Sequence, residues 1–148
     1  MTVEPMAERH LEAIAAIERV CFHEPWSVGA LREELDNPNN LFFVGVREDT
    51  VLGYVGCQTV LDEGYITNVA VAPDCRRQGV AAALLAELRR HAEEKALSFV
   101  TLEVRASNEP AIALYTDAGY VQVGTRRNFY THPTEDALLM TCFLKENV

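Results

Sequence analysis

The chain is short of positive charge. Its 148 residues include 13 Lys or Arg against 22 Asp or Glu, which leaves a net charge of -9. Proteins that bind nucleic acid without sequence preference rely on Lys and Arg clusters, so this balance argues against such a partner. The excess of acid favours solubility or a cationic partner. We therefore expect no direct binding to nucleic acid.

Cysteine is scarce and scattered. The four cysteines, at positions 21, 57, 75 and 142, form no C-x-x-C pair and have no histidine at a spacing typical of zinc sites. This distribution predicts free thiols in a reducing cytosol. It also predicts that the protein holds no metal.

Targeting signals, repeats and low-complexity linkers are also missing. The first ten residues, MTVEPMAERH, carry acids where a signal peptide has basic residues before an apolar run. No segment approaches the length of a membrane span. We therefore predict a cytoplasmic protein with no membrane partner. Because 49% of the residues are hydrophobic, the chain can fill one core, and we expect a single domain over residues 1–148.

Hydrophobic periodicity predicts an α/β protein. The predicted elements are a helix at 6–21, a short helix from the N-cap Ser27 to 35, strands at 41–46, 51–60 and 65–71, a helix at 79–95, a strand at 98–104, a helix at 110–118 closed by Gly119, and strands at 120–125 and 137–144. Residues 126–136 read as a polar loop. The first three strands predict an antiparallel meander, and the next strand, helix and strand a right-handed parallel crossover. This order predicts a mixed central sheet with helices on both faces.

The start of the long helix has features of a phosphate site. The segment RRQGVA lies where a strand leads into a helix, whose free N–H groups and dipole favour an anion. Gly79 lets the backbone approach a ligand, small residues follow at 81–83, and Arg76 and Arg77 add charge. An ordinary helix start with two solvated arginines explains these residues equally well.

Neither common nucleotide signature occurs, since the chain has no Walker A sequence and no G-x-G-x-x-G. Arg76, Gly79 and Ala81 instead fit R/Q-x-x-G-x-G/A, the pyrophosphate signature of the GNAT acetyltransferases. Three blocks in the expected order extend the likeness: ITNVAVAPDCRRQGVAAALL, TLEVRASNEPAIALYTDAGY and RRNFYTHPTEDALLM. With them the chain resembles the bacterial ribosomal-protein-alanine N-acetyltransferases of the GNAT superfamily. The resemblance implies a GNAT fold.

The resemblance also implies acetyl-CoA as the co-substrate. Its pantetheine arm would pair with the backbone of Val69, Ala70 and Val71. Its pyrophosphate would lie on the amides of six residues: Arg77, Gln78, Gly79, Val80, Ala81 and Ala82. Asn108, which by itself reads as a helix cap, would also hydrogen-bond the CoA arm. Because many relatives have a second glycine where this chain has Ala81, we expect weaker cofactor binding at most.

Glu103 is a lone acid in a strand that otherwise reads as buried. Alternation puts it on one face with Phe99 and Thr101, near the carboxyl end of the strand, where ligands bind in open α/β sheets. Such an acid can simply pair with an arginine, either Arg105 or one from the tail loop. Acetyl transfer, however, requires that the acceptor ammonium lose a proton, which a carboxylate can take. The family's general base falls on Glu103.

Tyr115 belongs to the inward stripe of the last predicted helix, with Ala111, Leu114 and Ala118. It can be a core aromatic residue whose hydroxyl reaches water. Alternatively its O–H protonates the departing CoA thiolate, since the family's general acid maps onto Tyr115.

The acceptor implied by the resemblance is the N-terminal alanine of a ribosomal protein whose first residues are basic and aromatic. An acidic chain suits such a peptide. Four loop residues are candidates for the border of its groove, namely Glu24, Trp26, Asp62 and Glu63, and Tyr130 is a candidate to close it. Two alternatives stay open: an acetyltransferase for lysines or small amines, and a non-catalytic acyl-CoA-binding module of a larger complex.

Overall fold

One mixed β-sheet organises the computed structural model, which describes residues 1–145. Its seven strands are β1 (Thr2–Pro5), β2 (Leu41–Arg47), β3 (Thr50–Val60), β4 (Glu63–Val71), β5 (Phe99–Arg105), β6 (Val121–Tyr130) and β7 (Glu135–Phe143). They lie in the order β1-β2-β3-β4-β5-β7-β6. All neighbours are antiparallel except β4 and β5, which are parallel. The predicted meander and parallel crossover are therefore present.

Helices cover both faces of the sheet, as predicted. They are α1 (Leu11–Cys21), α2 (Val28–Leu35), α3 (Val80–Glu94) and α4 (Glu109–Asp117). Apolar residues of α1 and α2 form one core with β2, β3 and β4. On the other face, α3 and α4 pack on a core that includes Val100, Leu102 and Val104 of β5. Within residues 1–145 the α1–α2 core does not reach β5 or β7, so this part of the sheet stays open on the α1 face.

The two parallel strands separate soon after they meet. They pair only from Glu63 with Phe99 to Tyr65 with Thr101. At this point β4 carries one extra residue against β3, because Ile66 pairs with Cys57 and Asn68 with Gly56. Such a β-bulge bends its strand, and here it takes β4 away from β5. A cleft therefore opens between the carboxyl halves of β4 and β5.

A buried polar cluster lies beside the bulge. The Glu18 side chain of α1 is fully buried, and its Oε1 accepts hydrogen bonds from the Tyr54 hydroxyl and, at 2.6 Å, from Asn68 Nδ2. Burial raises the pKa of Glu18, against the hydrogen bonds from Tyr54 and Asn68, which lower it. The cluster joins α1 to β3 and to the first residue of β4 after the bulge, so it holds β4 in its bent course.

The amino terminus differs from the prediction. Residues 2–5 form β1, which was not predicted, and the first helix begins at Leu11, after a 3-10 turn at Glu8–His10, instead of at Met6. A strand of four residues with an acid and a proline has little periodicity of its own. Its conformation comes from antiparallel pairing with β2 at the edge of the sheet.

The other difference concerns β6. The predicted strand ended at residue 125, whereas β6 continues through the polar segment to Tyr130. This strand is the opposite edge of the sheet, and nearly all of its residues are exposed, so the polar side chains carry no desolvation cost. Its pairing with β7 is irregular between Arg126 and Tyr130.

The remaining elements agree with the prediction to within two residues at each end. Ser27 caps α2, since its Oγ accepts from the Ala30 amide at 3.1 Å, and Gly119 follows α4 with a positive φ of 99°. All four cysteines are free thiols. Within the described chain, no helix is both long and apolar enough to cross a membrane.

Gly53 of β3 offers a test of how tightly β3 and β4 pack. A Cβ at this position would lie 2.6 Å from the carbonyl oxygen of Ala70 and 3.1 Å from Cα of Val71. We expect Gly53→Ala to lower the free energy of unfolding by about 1–3 kcal/mol, because the clash is with backbone. Urea unfolding measures the loss. Gly124→Ala is the control, since a Cβ there meets nothing within 4 Å, and a change within about 0.5 kcal/mol is expected. Equal losses in both variants would contradict the packing argument.

Candidate active site

The loop before α3 presents its backbone to solvent. Arg77 and Gly79 both have a positive φ, 64° and 79°, and Gly79 is the N-cap of α3. A Cβ at Gly79 would meet no atom within 4 Å, so the glycine is needed for its backbone conformation and leaves open space in front of the helix. The first intrahelical bond runs from the Ala83 amide to the Gly79 carbonyl at 3.0 Å. The amides of residues 80–82 therefore have no helical acceptor and point into that space.

Cations and polar side chains surround this loop. Gln78 accepts a hydrogen bond from Arg47 Nη1 at 3.1 Å and donates to the Asp74 carbonyl at 3.4 Å, which ties the loop to the end of β2. Arg76 turns away from the loop, because its Nε donates to the Val71 carbonyl at 3.3 Å. The predicted cradle of residues 77–82 is thus assembled at a helix N-terminus, while Arg76 supports the end of β4.

The cleft leaves one edge of β4 without a neighbouring strand. Val69, Ala70 and Val71 pair with β3 on one side, and no strand of residues 1–145 pairs with them on the other. Backbone N–H and C=O groups on that edge need partners, which an extended ligand lying in the cleft can supply. The three residues lead directly into the α3 loop, so the edge and the cradle form one continuous surface.

Asn108 is the N-cap of α4. Its Oδ1 accepts a hydrogen bond from the Ala111 amide at 3.2 Å, which uses one end of the side chain. Asn108 is exposed, and its Nδ2 donates to no group of residues 1–145. The two roles expected of Asn108 are therefore compatible, because the oxygen caps α4 and the amide nitrogen can donate to a ligand.

Glu103 lies on the open face of β5. Its side chain is only 6% exposed, and each oxygen has a partner: Oε2 accepts from the Tyr65 hydroxyl, and Oε1 lies 3.3 Å from Arg126 Nε. Of the two pairings left open by the sequence, the one with Arg105 does not occur, and the one with an arginine of the segment predicted as the tail loop does. Burial, followed by the hydrogen bond and charge of Glu103, raises the pKa of Tyr65. The phenol therefore stays protonated and acts as the donor.

A groove of about 330 Å³ extends from Glu103 along β5. Its lining comes from four strands: Tyr65 of β4, Phe99, Thr101 and Glu103 of β5, Val123 and Arg126 of β6, and Leu139, Thr141 and Phe143 of β7. Among residues 1–145, Glu103 and Arg126 are the charged residues of this lining, and both lie at one end. The groove is thus an apolar channel on the α1 face that ends at a carboxylate.

Tyr115 lies on the opposite face of the sheet from Glu103. It is buried in the α3–α4 core, where its ring centroid is 5.9 Å from that of Tyr120. Burial, with a smaller contribution from Tyr130, raises the pKa of Tyr115 to about 12. Among residues 1–145 no hydrogen bond joins it to Glu103. The two predicted catalytic residues can therefore meet only through the cleft between β4 and β5.

The β6–β7 hairpin lies beside the carboxyl end of β5. Arg105 donates to the carbonyls of Thr131 at 2.8 Å and Pro133 at 2.9 Å, and its guanidinium lies 4.5 Å from the Tyr130 ring centroid. Burial, followed by the charge of Glu103, raises the pKa of Tyr130 to about 12. Arg105 therefore fixes the turn and holds Tyr130 close to both Glu103 and Tyr115.

The segment between α1 and α2 reaches this hairpin. The rings of His23 and His132 lie 4.6 Å apart, so the two loops meet beside the cleft. Glu24, next to His23, is exposed and does not belong to the described lining of the groove, so its place at the groove border stays a prediction. Trp26 instead packs against Phe42 at a centroid distance of 6.3 Å, which favours the interpretation as a core contact.

Asp62 and Glu63, which were also candidates for the groove border, lie at the end of the groove remote from Glu103. Glu63 pairs with Phe99, at the end of β5 remote from Glu103, and Asp62 accepts a hydrogen bond from the Ser98 hydroxyl. Both acids therefore lie at the far end of the groove. Asp62 lies in the turn between β3 and β4, and Glu63 begins β4, so only the register between β4 and β5 reveals which end of β5 they adjoin.

Sequence reasoning missed Tyr65 and foresaw Arg126 only as an unspecified arginine of the tail loop. Both are found only through strand pairing, since Tyr65 is 38 residues and Arg126 is 23 residues from Glu103 in the chain. The alternation of β5 indicates which side of the strand carries Glu103, but not which neighbours share that side. Across residues 1–145, no group of three or more His, Cys, Asp or Glu side chains is arranged to hold a metal ion.

Comparison with known proteins agrees with this geometry. Residues 11–120 match the family described as Acetyltransferase (GNAT) family. The chain is 36% identical over 141 residues to the [ribosomal protein bS18]-alanine N-acetyltransferase of Escherichia coli strain K12, covering 94% of this chain and 95% of that protein. It is 32% identical over 145 residues to the protein of the same name from Haemophilus ducreyi, covering 96% and 99%.

A solved structure extends the likeness to three dimensions. The crystal structure of the ribosomal-protein-S18-alanine N-acetyltransferase from Escherichia coli superposes with a TM-score of 0.89 and 34% identity, covering 99% of this chain and 96% of that chain. These similarities confirm the predicted GNAT fold and the prediction of an enzyme that uses acetyl-CoA. The chain belongs to the acetyltransferase (GNAT) family.

Proposed function

We propose that the protein is an N-terminal protein acetyltransferase. It transfers the acetyl group of acetyl-CoA to the α-amine of an N-terminal alanine of a ribosomal protein, in the cytoplasm and with residues 1–148 acting as one domain. The proposal rests on the position of Glu103, which lies at the end of a groove that meets the β4–β5 cleft. The names of relatives that align over nearly the whole chain support the acceptor.

Acetyl-CoA would lie along the cleft with its pyrophosphate at α3. Val69, Ala70 and Val71 would pair with the pantetheine arm as a missing strand does. The amides of residues 77–82, which comprise Arg77, Gln78, Gly79, Val80, Ala81 and Ala82, would bind the pyrophosphate. The free amide nitrogen of Asn108 would donate to the arm. Ala81 is half-buried on α3, so its methyl group would lie beside the pyrophosphate without filling the space before Gly79.

Glu103 would act as the general base. The acceptor's ammonium enters along the groove and gives a proton to the carboxylate, and the neutral nitrogen then attacks the thioester carbonyl. The base lies on the α1 face of the sheet, and the CoA arm would lie along the cleft edge of β4. The acceptor nitrogen would therefore reach the thioester from the groove, on the side opposite the rest of the CoA arm. Direct transfer needs no covalent enzyme intermediate.

Tyr115 would act on the leaving group from the other face. Its pKa of about 12 keeps the phenol protonated at neutral pH. Since a thiol has a reference pKa of about 8.5, full proton transfer to a free thiolate is uphill. We therefore assign Tyr115 a hydrogen bond to the sulfur that strengthens as the C–S bond breaks, with proton delivery as the end of that process.

The acceptor peptide would follow the groove from Glu103. Glu24 of the α1–α2 segment and Tyr130 of the hairpin would border the peptide at the Glu103 end, since the ring contact between His23 and His132 brings these two segments together. A basic peptide is favoured by the net charge of -9. The apolar lining further along, which includes Phe99 and Leu139, suits aromatic side chains.

A pair of peptides tests the acceptor. One is a short basic peptide with a free N-terminal alanine, and the other is the same peptide blocked at its N-terminus and carrying a lysine. We expect CoA release from acetyl-CoA with the first peptide alone. Release with the blocked peptide would move the assignment to lysine. Binding of CoA without release from either peptide would favour a non-catalytic acyl-CoA-binding module.

Glu103→Gln tests the base. General-base assistance contributes roughly a hundred- to ten-thousand-fold, so we expect kcat to fall by at least about a hundredfold. The dissociation constant of acetyl-CoA, measured by calorimetry, should stay within about twofold, because Glu103 contacts none of the proposed cofactor-binding residues. Loss of turnover and cofactor binding together would mean that Glu103 serves the structure and not the chemistry.

Tyr115→Phe tests the leaving-group role. A hydrogen bond to a charged group contributes about 1.5–3 kcal/mol, so we expect kcat to fall about ten- to a hundredfold with the fold unchanged. In the unmodified enzyme kcat should show no decline from Tyr115 ionisation between pH 7 and 9, because its pKa is about 12. Tyr120→Phe, which removes a neighbouring buried hydroxyl, is the control. Undiminished turnover in Tyr115→Phe would reject the role.

A further inference from the structure

Both oxygens of the Glu103 carboxylate have partners within the chain. Oε2 accepts from the Tyr65 hydroxyl, and Oε1 lies 3.3 Å from Arg126 Nε. With 6% of its side chain exposed, Glu103 has little water to replace either partner. An incoming ammonium must therefore take the place of one of them before it can give up a proton.

The two contacts differ in kind. Tyr65 donates a hydrogen bond to Glu103 from β4, which is a central strand of the sheet. Arg126 is within ion-pair distance without hydrogen-bond geometry, its side chain is 57% exposed, and it lies on the edge strand β6 just before the pairing with β7 becomes irregular. Arg126 is thus the partner that leaves more readily, since its guanidinium is already largely in water and makes no hydrogen bond to Glu103.

We propose that Arg126 occupies the place of the acceptor's α-ammonium on Glu103 in the empty enzyme and leaves when the acceptor binds, while Tyr65 stays as a positioning residue for the carboxylate. This inference rests on the proposed function, because it assigns partners to the same base. The ammonium replaces one cation with another at Oε1, so the buried carboxylate is never left unpaired. Its proton passes to Oε1 before the neutral nitrogen attacks the thioester, and Tyr65 continues to donate to Oε2.

Neighbouring arginines do not offer the same exchange. Arg105 is held by the carbonyls of Thr131 and Pro133 and lies 3.3 Å from Glu135 Oε1. Arg127 follows Arg126 on β6 and is exposed, but alternation along the strand directs it away from Glu103. Arg127 therefore serves as a matched control, since its replacement changes the net charge equally.

Arg126→Gln tests the exchange. If the acceptor competes with Arg126, KM for the Ala-starting peptide should fall about two- to fivefold, and by more than any change in kcat, because the competing cation is removed. Arg127→Gln should leave KM within about 1.5-fold. An unchanged or raised KM in Arg126→Gln would overturn the proposal, and so would an equal fall in both variants, because that would be an effect of net charge. Thermal unfolding and acetyl-CoA affinity check that each variant is folded.

Tyr65→Phe tests the positioning role through a double-mutant cycle. We expect kcat to fall about tenfold, the contribution of one hydrogen bond to a carboxylate, with acetyl-CoA affinity unchanged. In a Glu103→Gln background, measured by single turnover, Tyr65→Phe should have no further effect. The same fall in both backgrounds would mean that Tyr65 acts by structure alone and would overturn its role.

Different results would contradict the role of Glu103 as the base and the roles of Arg126 and Tyr65 as its partners. If Glu103→Gln itself leaves kcat unchanged, the assignment of the base is wrong. If Glu103→Gln abolishes turnover while Arg126→Gln and Tyr65→Phe leave KM and kcat unchanged, the base stands and only the inference about its partners is wrong.

Discussion

Parallel pairing between β4 and β5 stops at Tyr65 and Thr101, and both halves of the site depend on that separation. If β4 and β5 were paired along their whole length, the backbone groups on this edge of β4 would be hydrogen-bonded to β5. The cleft that connects the two faces of the sheet would then be closed. The bulge at Thr67 and the Glu18 cluster hold β4 away, so the edge at Val69 to Val71 needs a partner. Unpaired backbone groups are costly, which makes an extended ligand the natural complement.

The separation also explains how an acid is tolerated in β5. A carboxylate that is 6% exposed in an apolar strand would be strongly unfavourable without partners. Here Tyr65 reaches it from one side of the opening and Arg126 from the other. The same opening that admits the substrates therefore admits the groups that stabilise the base before the substrates arrive. Arg105, two residues further on, instead secures the hairpin turn.

Features that depend on local sequence could be predicted, and features that depend on pairing could not. The caps at Ser27 and Asn108 and the left-handed Gly79 follow from adjacent residues, as does the face of β5 that carries Glu103. By contrast, β1 exists only because β2 lies beside it, and β6 keeps its polar residues only because it is an edge. The Tyr65 contact requires the parallel register, which no periodicity encodes. The site was thus predictable as single residues, but not as a set of contacts.

The length of the groove and the pKa of the acceptor amine both favour an N-terminal α-amine over a lysine or a small amine. From Glu103 to Phe99 the lining follows β5 for four residue steps, about 13 Å at about 3.3 Å per residue, which matches about four residues of an extended peptide. A small amine would leave most of that apolar surface in water. With reference pKa values of about 7.8 and 10.4, about one α-amine in seven is neutral at pH 7, against about one lysine in 2,500. A peptide that enters by its N-terminus would therefore fill the groove, and its α-amine would need little help from a carboxylate base. A lysine would need more help from the same base, because the neutral fraction of its amine is several hundredfold smaller.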